Sequence, residues 1–222
     1  MKTLMMGLLL TVSQAANAHE VSIKLLGASP LNEVSTTRGT TQDGSSSAGF
    51  ALEYVRPVYK KLSLGGELSL MPRGEVKAGS LLGPVIDLAV SGETLAFLGL
   101  ARLDVAELHG MRLYAAGGLG FASVSRKAVA TPRPGTVWVA TGESSPKTLV
   151  DSSSLVPAWA IRGGVDGVLK DRWIVGAELG YLGTGEASHE MTAEARQVLG
   201  AQPPIAAASE SFVFALKAGF KF

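Results

Sequence analysis

Hydrophobic residues recur at every second position in eight separate stretches of this chain. The clearest is the last, residues 211–222, where Phe212 and Phe214 begin a run of alternating apolar positions that continues to Phe222. A period of two is typical of a β-strand with one apolar and one polar face. Most of the stretches have about ten residues, the length that a tilted strand needs to cross a membrane. The eight predicted strands are residues 19–28, 48–55, 62–71, 93–105, 111–123, 156–169, 173–184 and 211–222.

The connections between the predicted strands alternate between short and long. Outer-membrane barrels have short periplasmic turns and long extracellular loops. We therefore predict an all-β fold, an eight-stranded antiparallel up-and-down transmembrane β-barrel, with both ends of the barrel domain on the side of the short turns. The short turns are 56–61, 106–110 and 170–172, and the long loops are 29–47, 72–92, 124–155 and 185–210, the last with a helical turn or two over 192–199.

The start of the sequence has the features of a secretory signal peptide. A basic residue, Lys2, precedes an apolar run over residues 4–12, and Ala16-Asn17-Ala18 is a small-x-small cleavage site. The apolar run is too short for a membrane anchor. We predict that residues 1–18 are a cleaved signal peptide and that residues 19–222 form the barrel domain.

The composition also favours an exported barrel. Cysteine is absent, glycine occurs 27 times, and charged residues make up 18% of the chain, below the roughly 25% of soluble domains. After the signal peptide no run of about 18 apolar residues occurs, and in lipid only helices and closed barrels satisfy every backbone polar group. The formal net charge of +1 gives no reason to expect a nucleic-acid partner.

The two faces of the predicted strands differ in chemistry. The face that we assign to lipid carries leucine, isoleucine, valine and aromatic residues, and the aromatic residues lie near strand ends, as in the girdles at membrane interfaces. The predicted aromatic girdle is Phe50, Tyr54, Phe121, Trp159, Trp173, Tyr181, Phe212 and Phe222. The opposite face is charged and nearly neutral in sum. Its predicted lumen charge network is Lys24, Glu53, Glu67, Arg102, Asp104, Arg112, Arg162, Asp166, Glu178, Lys217 and Lys221.

The predicted lumen is filled by side chains. Eight strands enclose only enough space for side chains, so a charged interior favours ion pairs and waters over an open channel. If the last short turn centres on Asp171, Gly164 lies opposite Glu178. Arg162 is then a diagonal neighbour of Glu178, within reach of an ion pair. Two leucines also fall on the lumen face, Leu98 and Leu100.

A soluble eight-stranded barrel of the lipocalin type has the opposite arrangement, with an apolar interior and a polar exterior. The alternation of residues alone does not distinguish the two architectures. The signal peptide, the aromatic strand ends, the unequal loops and the terminal Phe222 favour the membrane barrel.

Three stretches resemble a known family. Residues 157–181 resemble the hairpin of the sixth and seventh strands in small OmpA-like and opacity-type outer-membrane barrels, and residues 64–70 and 114–121 resemble their third and fifth strands. The order of strands, turns and loops resembles the family over the whole mature chain. The likeness of the residues themselves is specific only in that hairpin and at the C-terminus.

The resemblance implies a location and a set of partners. It implies a Gram-negative outer membrane, contact with outer-membrane lipid and lipopolysaccharide, and folding by the barrel-assembly machinery with Phe222 as the assembly signal. It also implies a structural, adhesive or immune-evasive role, with a host or surface ligand at the loops. A narrow pore and a lipid-modifying enzyme remain as alternatives.

The residues for catalysis are few. The histidines are His19, His109 and His189, and only His189 has a serine and an acid beside it, in Ser188-His189-Glu190. A Ser-His-acid site needs three groups that converge in space, and neighbours in one loop rarely do. With no cysteine and no two histidines at ligand spacing, we also expect no metal. We therefore expect no catalytic residue and no cofactor, and we interpret His189 as a solvated loop residue.

Overall fold

The computed structural model describes residues 19–30, 34–35, 41–42, 46–79, 86–138, 140–200 and 205–222. The predicted signal peptide, residues 1–18, lies outside the described residues. Within these ranges, no helix has the length and apolar character needed to cross a bilayer.

Eight antiparallel strands close into a barrel. Neighbours in the sequence are neighbours in the sheet, and the first strand pairs with the last, from Glu20 opposite Lys221 to Pro30 opposite Ser211. Backbone hydrogen bonds of 2.8 and 2.9 Å between His19 and Phe222 extend this closure. The predicted fold class is therefore confirmed. The barrel strands are β1 (Glu20–Pro30), β4 (Ser47–Tyr59), β5 (Leu62–Gly79), β6 (Ile86–Leu108), β7 (Met111–Pro132), β8 (Lys147–Leu169), β9 (Trp173–His189) and β10 (Ile205–Lys221).

Two further strands and one helix lie in the predicted long loops. The strands β2 (Val34–Ser35) and β3 (Thr41–Gln42) form a separate two-stranded ribbon. The helix α1 (Ala193–Leu199) begins after Thr192, whose side-chain oxygen accepts a hydrogen bond of 3.1 Å from the backbone nitrogen of Ala195. This N-cap stabilises the first turn, because it satisfies a backbone donor that has no partner inside the helix. The predicted helical segment is thus present.

Four strands, β5 to β8, are much longer than the sequence predicts, and β5 has 18 residues. β6 and β8 have 23 residues each and β7 has 22, and their pairing continues to Ile86 opposite Pro132 and Ala130 opposite Lys147. The prediction of loops over 72–92 and 124–155 is therefore wrong for most of these residues. Turn-forming residues are frequent there, but hydrogen-bonded pairing continues on both sides of the tip. We use the name extracellular extension for three parts of the chain: the parts of β6, β7 and β8 beyond the predicted membrane segments, the connection between β7 and β8, and the helix α1.

The outer face of the barrel is apolar and the inner face is charged. Leu119 is 76% exposed and Ile161 is 64% exposed, although both lie in mid-strand, whereas Lys24 is fully buried. In water an exterior of this kind would be unfavourable, and in lipid it is the expected surface. The arrangement excludes the lipocalin alternative. Leu98 and Leu100 are buried inside the barrel, as their position in the alternation predicts.

Candidate functional site

The centre of the lumen is built around one buried lysine. The ammonium nitrogen of Lys24, on β1, lies 2.6 Å from Glu53 Oε2, 2.9 Å from Glu67 Oε2 and 2.8 Å from Glu178 Oε2. The three carboxylates come from β4, β5 and β9. Because a lysine ammonium has three donors, each carboxylate takes one of them. Lys24 therefore joins strands on different sides of the barrel.

Arg162 completes this layer from β8. Its Nη2 lies 2.6 Å from Glu67 Oε1, and its Nη1 contacts Glu67 Oε2, so the pair is bidentate. The predicted pair with Glu178 is weaker, because Arg162 Nη1 and Glu178 Oε2 are 3.7 Å apart. The predicted ion pair is therefore present, but Glu67 is the closer partner of Arg162 and was not predicted. The register is nevertheless the predicted one, with Gly164 opposite Glu178.

A second ion-pair layer lies nearer the periplasmic turns. Lys217, on β10, bridges the two layers, with its Nζ 2.8 Å from Glu53 Oε1 and 3.1 Å from Asp166 Oδ2. Arg102 Nη1 approaches the same Asp166 oxygen at 2.9 Å, and Arg102 Nε is 3.1 Å from Asp104 Oδ1. The second ion-pair layer is therefore connected to the layer around Lys24.

Two members of the network were missed by the sequence reasoning. Glu20 is buried and lies 2.7 Å from Arg112 Nη1 and 3.4 Å from Arg102 Nη1. The hydroxyl of Tyr114 donates a hydrogen bond of 2.5 Å to Glu178 Oε1. Each of the two residues lies an even number of positions from a predicted lumen residue on its own strand. The alternation of faces therefore predicts that both face the lumen.

The structure brings ten of the eleven predicted lumen residues into these ion pairs. Eight of the ten are buried, and Asp104 and Arg112 are partly exposed near the periplasmic end. Lys221 is also partly exposed and lies opposite Glu20 at the end of the barrel. The ten residues are Lys24, Glu53, Glu67, Arg102, Asp104, Arg112, Arg162, Asp166, Glu178 and Lys217.

An apolar layer closes the lumen above the ion pairs. Leu26, Leu98, Val124, Leu182 and small alanines pack across the barrel in one buried cluster. A cavity of about 10 Å³ lies at its extracellular side, enough for about one water molecule. Its lining includes hydroxyl groups and apolar side chains. The lining residues are Ala28, Ser47, Met71, Thr94, Leu182, Thr184, Ser209 and Ser211.

The predicted girdle residues lie on the outer face or at its ends. Trp159 and Tyr181 are in contact on adjacent strands, with ring centroids 4.9 Å apart. At the periplasmic end the ring of His19 stacks against Tyr54 and Phe222, with centroids 5.8 and 5.6 Å away. The other members lie on the outside of the barrel and are exposed. They are Phe50, Phe121, Trp173 and Phe212.

The serine and the acid beside His189 in the sequence do not converge on its ring. His189 is 1% exposed, whereas Ser188 and Glu190 are exposed, and Glu190 Oε2 is 3.3 Å from Arg196. The interpretation of His189 as a solvated loop residue is wrong, because it ends β9 with its side chain inside. Its Nδ1 instead lies 3.0 Å from Ser152 Oγ.

The electrostatics around His189 are unfavourable for general base catalysis. Burial and the positive charge of Arg126 both lower the pKa of His189. A general base must accept a proton as the reaction proceeds, and Arg126 opposes the resulting imidazolium. Among the described residues, no group of three or more histidine, aspartate or glutamate side chains is placed to hold a metal ion.

The extracellular extension has a small core of its own. Trp138 is 3% exposed and packs with residues of β7, β8 and α1, and its indole nitrogen donates a 2.9 Å hydrogen bond to Ser145 O. Thr192 Oγ1 donates to Thr148 O at 2.5 Å, which fixes the start of α1 against β8. The buried members of this core are Ala130, Trp138, Leu149, Val150 and Ala195.

No protein-family model matches the sequence, and a comparison with curated proteins gives no match. Solved structures do match. Outer membrane protein OprG from Pseudomonas aeruginosa has a TM-score of 0.57 at 16% identity, over 94% of this chain and 97% of OprG. Ail, the attachment invasion locus protein of Yersinia pestis, has a TM-score of 0.49 at 14% identity, over 93% of this chain and 99% of Ail.

The likeness to OprG is one of fold, and it agrees with the apolar exterior and the closed ring of eight strands. The chain is an eight-stranded transmembrane β-barrel of the outer-membrane type. The resemblance to small OmpA-like barrels is confirmed at this level, and the chain is an outer-membrane protein.

Proposed function

We propose that this barrel is a structural and surface-interaction protein, of the adhesion or immune-evasion kind, that acts through its extracellular side. The observation that carries the proposal is the folded extracellular extension. The parts of β6, β7 and β8 beyond the predicted membrane segments carry a core centred on Trp138 and a capped helix. A pre-formed surface of this kind loses less conformational entropy on binding a partner than a flexible loop does.

The filled lumen supports a role that does not depend on transport. Two joined ion-pair layers are followed by an apolar layer, and the cavity above it holds about 10 Å³. A hydrated ion needs a continuous polar path, and the apolar layer around Leu98 interrupts it. We therefore favour a closed barrel over the narrow pore.

We also favour a non-enzymatic role. The groups beside His189 in the sequence point away from it, and the nearby Arg126 opposes protonation of its ring. We further propose contact with lipopolysaccharide, and assembly through Phe222, as the resemblance to small OmpA-like barrels implies.

The surface role is tested by adhesion. Cells that display the wild-type chain are compared with cells that display a variant in which a two-residue turn replaces residues 133–146, on epithelial monolayers and immobilised extracellular-matrix glycoproteins. We expect the replacement to reduce adhesion to the level of cells without the protein. The control is Lys170→Gln in a periplasmic turn, which should adhere like wild type. Equal adhesion by wild type and by cells lacking the protein would contradict the surface role.

Two further measurements test the remaining parts. The purified barrel in a planar bilayer should give no stepwise conductance, and stable steps would support the pore instead. Mass spectra of lipid A from cells that produce the barrel should equal those from cells that do not. Loss of an acyl chain that depends on His189 would support the enzyme.

A further inference from the structure

A separate polar layer lies inside the extracellular end of the barrel. Arg126 on β7 is directly opposite Ser152 on β8, and His189 on β9 contacts Ser152 through Nδ1 at 3.0 Å. Arg126 and Ser152 are half-buried, and His189 is buried. The apolar cluster of the lumen lies below these three residues, and the core around Trp138 lies above them.

Two nitrogens of this layer have no hydrogen-bond partner among the described residues. Within the described residues, Arg126 Nε and His189 Nε2 are both buried and neither makes a hydrogen bond. The acidic residues nearest to Arg126 in the sheet are Glu93 and Asp151, which are exposed. Glu93 is opposite Ser125 and Asp151 is opposite Lys127, so both belong to the outward set of positions.

This arrangement differs from the rest of the lumen. Lys24 has three carboxylate partners, Arg162 has two, and Lys217 has two. Arg126 is half-buried and its Nε is buried without a hydrogen bond, and removing a charge from water without a counter-charge is unfavourable. A cation that the described part of the chain leaves without a carboxylate therefore points to a negative charge supplied from outside.

We propose that Arg126 and His189 form a binding site for an oxyanion, a carboxylate or phosphate group, at the extracellular end of the lumen. When Ser152 Oγ–H donates to His189 Nδ1, the ring proton is on Nε2. Arg126 Nε and His189 Nε2 then both donate to the anion, and the guanidinium supplies the charge. Burial and Arg126 lower the pKa of His189, which favours the neutral ring, and the hydrogen bond donated by Ser152 Oγ is what leaves the ring proton on Nε2.

This site does not depend on the proposed surface role, since its residues face the lumen. The chain has three histidines, so its imidazole spectrum is simple. The full barrel, refolded in nanodiscs with ¹⁵N-labelled histidine, is titrated with sodium phosphate or sodium acetate against sodium chloride at equal ionic strength. The signal of His189 is assigned from its loss in His189→Gln.

We expect a saturable shift of the His189 Nε2 resonance with phosphate or acetate and no comparable shift with chloride. Saturation by phosphate alone identifies a phosphate site, and saturation by acetate alone identifies a carboxylate site. No saturable shift with either oxyanion, or an equal response to chloride, would overturn the proposal. If His189→Gln does not fold, His19→Gln and His109→Gln assign the His189 signal by elimination, so the wild-type titration stays decisive.

Anion titrations of matched variants test whether Arg126 supplies the positive charge of the site. Arg126→Gln should weaken the apparent affinity at least about tenfold, since a hydrogen bond to a charged group is lost. Arg126→Lys should keep part of the binding. Lys127→Gln, the next residue on the outer face, should bind like wild type. Equal losses in Arg126→Gln and Lys127→Gln would mean a general effect of net charge and would also overturn the proposal.

Discussion

Lys24 and Glu178 are separated by 154 residues in the sequence, and in the lumen Lys24 Nζ lies 2.8 Å from Glu178 Oε2. Glu178 also accepts a hydrogen bond of 2.5 Å from the hydroxyl of Tyr114. A carboxylate from the seventh barrel strand thus meets an ammonium from the first and a phenol from the fifth. The contact belongs to the closed barrel and not to any one hairpin, so the ion pairs depend on closure of the ring.

Replacing Lys24 should destabilise the barrel strongly. Lys24→Met leaves Glu53, Glu67 and Glu178 close together with fewer counter-charges, which should cost about 3–5 kcal/mol of unfolding free energy. The measurement is the urea midpoint of the barrel refolded in lipid vesicles, followed by the mobility of unboiled samples on gels. Lys61→Met, in an exposed turn, is the control and should unfold at the wild-type midpoint. Equal midpoints for the two variants would contradict the central role of Lys24.

The partner of Arg162 can be identified by double-mutant cycles. The bidentate contact with Glu67 should give a coupling energy of about 2 kcal/mol between Arg162→Met and Glu67→Gln. The same cycle with Glu178→Gln should give less than about 0.5 kcal/mol, because Arg162 Nη1 and Glu178 Oε2 are 3.7 Å apart. A larger coupling to Glu178 than to Glu67 would restore the pairing that the sequence favoured.

Alternation predicts which face a residue occupies but not its height in the barrel. It assigned Lys24, Glu67 and Arg162 to one face, and hairpin geometry predicted Gly164 opposite Glu178. The height of a residue depends on the stagger of the strands around the ring, which the residue pattern does not encode. For this reason the pair of Arg162 with Glu67, 95 residues apart, was missed while the register of one hairpin was correct.

His189 was misinterpreted for a different reason, a bulge near the end of β9. Leu182 and Thr184 are buried at even positions of β9, whereas Ala187 and His189 are buried at odd positions. The pairing of β9 with β10 shifts between Ala207 and Ser209, so an irregularity changes the parity of the strand end. A bulge inserts one residue and turns every later side chain to the other face. Gly185 lies at this bulge, and a glycine inside a strand pattern is a signal that could have indicated it.

Trp138 should hold the extracellular extension together without supporting the barrel. Trp138→Ala removes the largest side chain of the small core and should destabilise the extension locally by about 3 kcal/mol. Limited proteolysis and amide exchange should then increase in β7 and β8 beyond the membrane, while the unboiled gel mobility stays that of the folded barrel. Val137→Ala, at an exposed neighbour, should change neither measurement. Loss of the barrel itself in Trp138→Ala would mean that the two cores are not separate.

Two adjacent glycines should respond differently to substitution by alanine, one with a loss of stability and the other with little change. A Cβ at Gly164 would lie 2.5 Å from the hydroxyl oxygen of Tyr114 and 2.9 Å from Ala177 O, whereas a Cβ at Gly163 has its nearest atom, Tyr114 O, at 3.9 Å. Gly164→Ala should therefore displace Tyr114 from Glu178 and cost about 1–3 kcal/mol by overpacking. Gly163→Ala faces outward and should stay within about 0.5 kcal/mol of wild type.

The urea midpoint in lipid vesicles measures both glycine variants, and Tyr114→Phe separates the two causes of the loss at Gly164. If displacement of the Tyr114 hydroxyl is the main effect, Tyr114→Phe should account for about 1.5–3 kcal/mol, the range for a hydrogen bond to a charged group. Adding Gly164→Ala to Tyr114→Phe should then cost less than it does in the wild-type background, because the closest clash has been removed. Full additivity of the two changes would mean that the contacts which phenylalanine keeps dominate, namely the ring carbon Cζ at 2.6 Å and Ala177 O at 2.9 Å. Unchanged stability of Gly164→Ala would contradict the close packing of the lumen at this position.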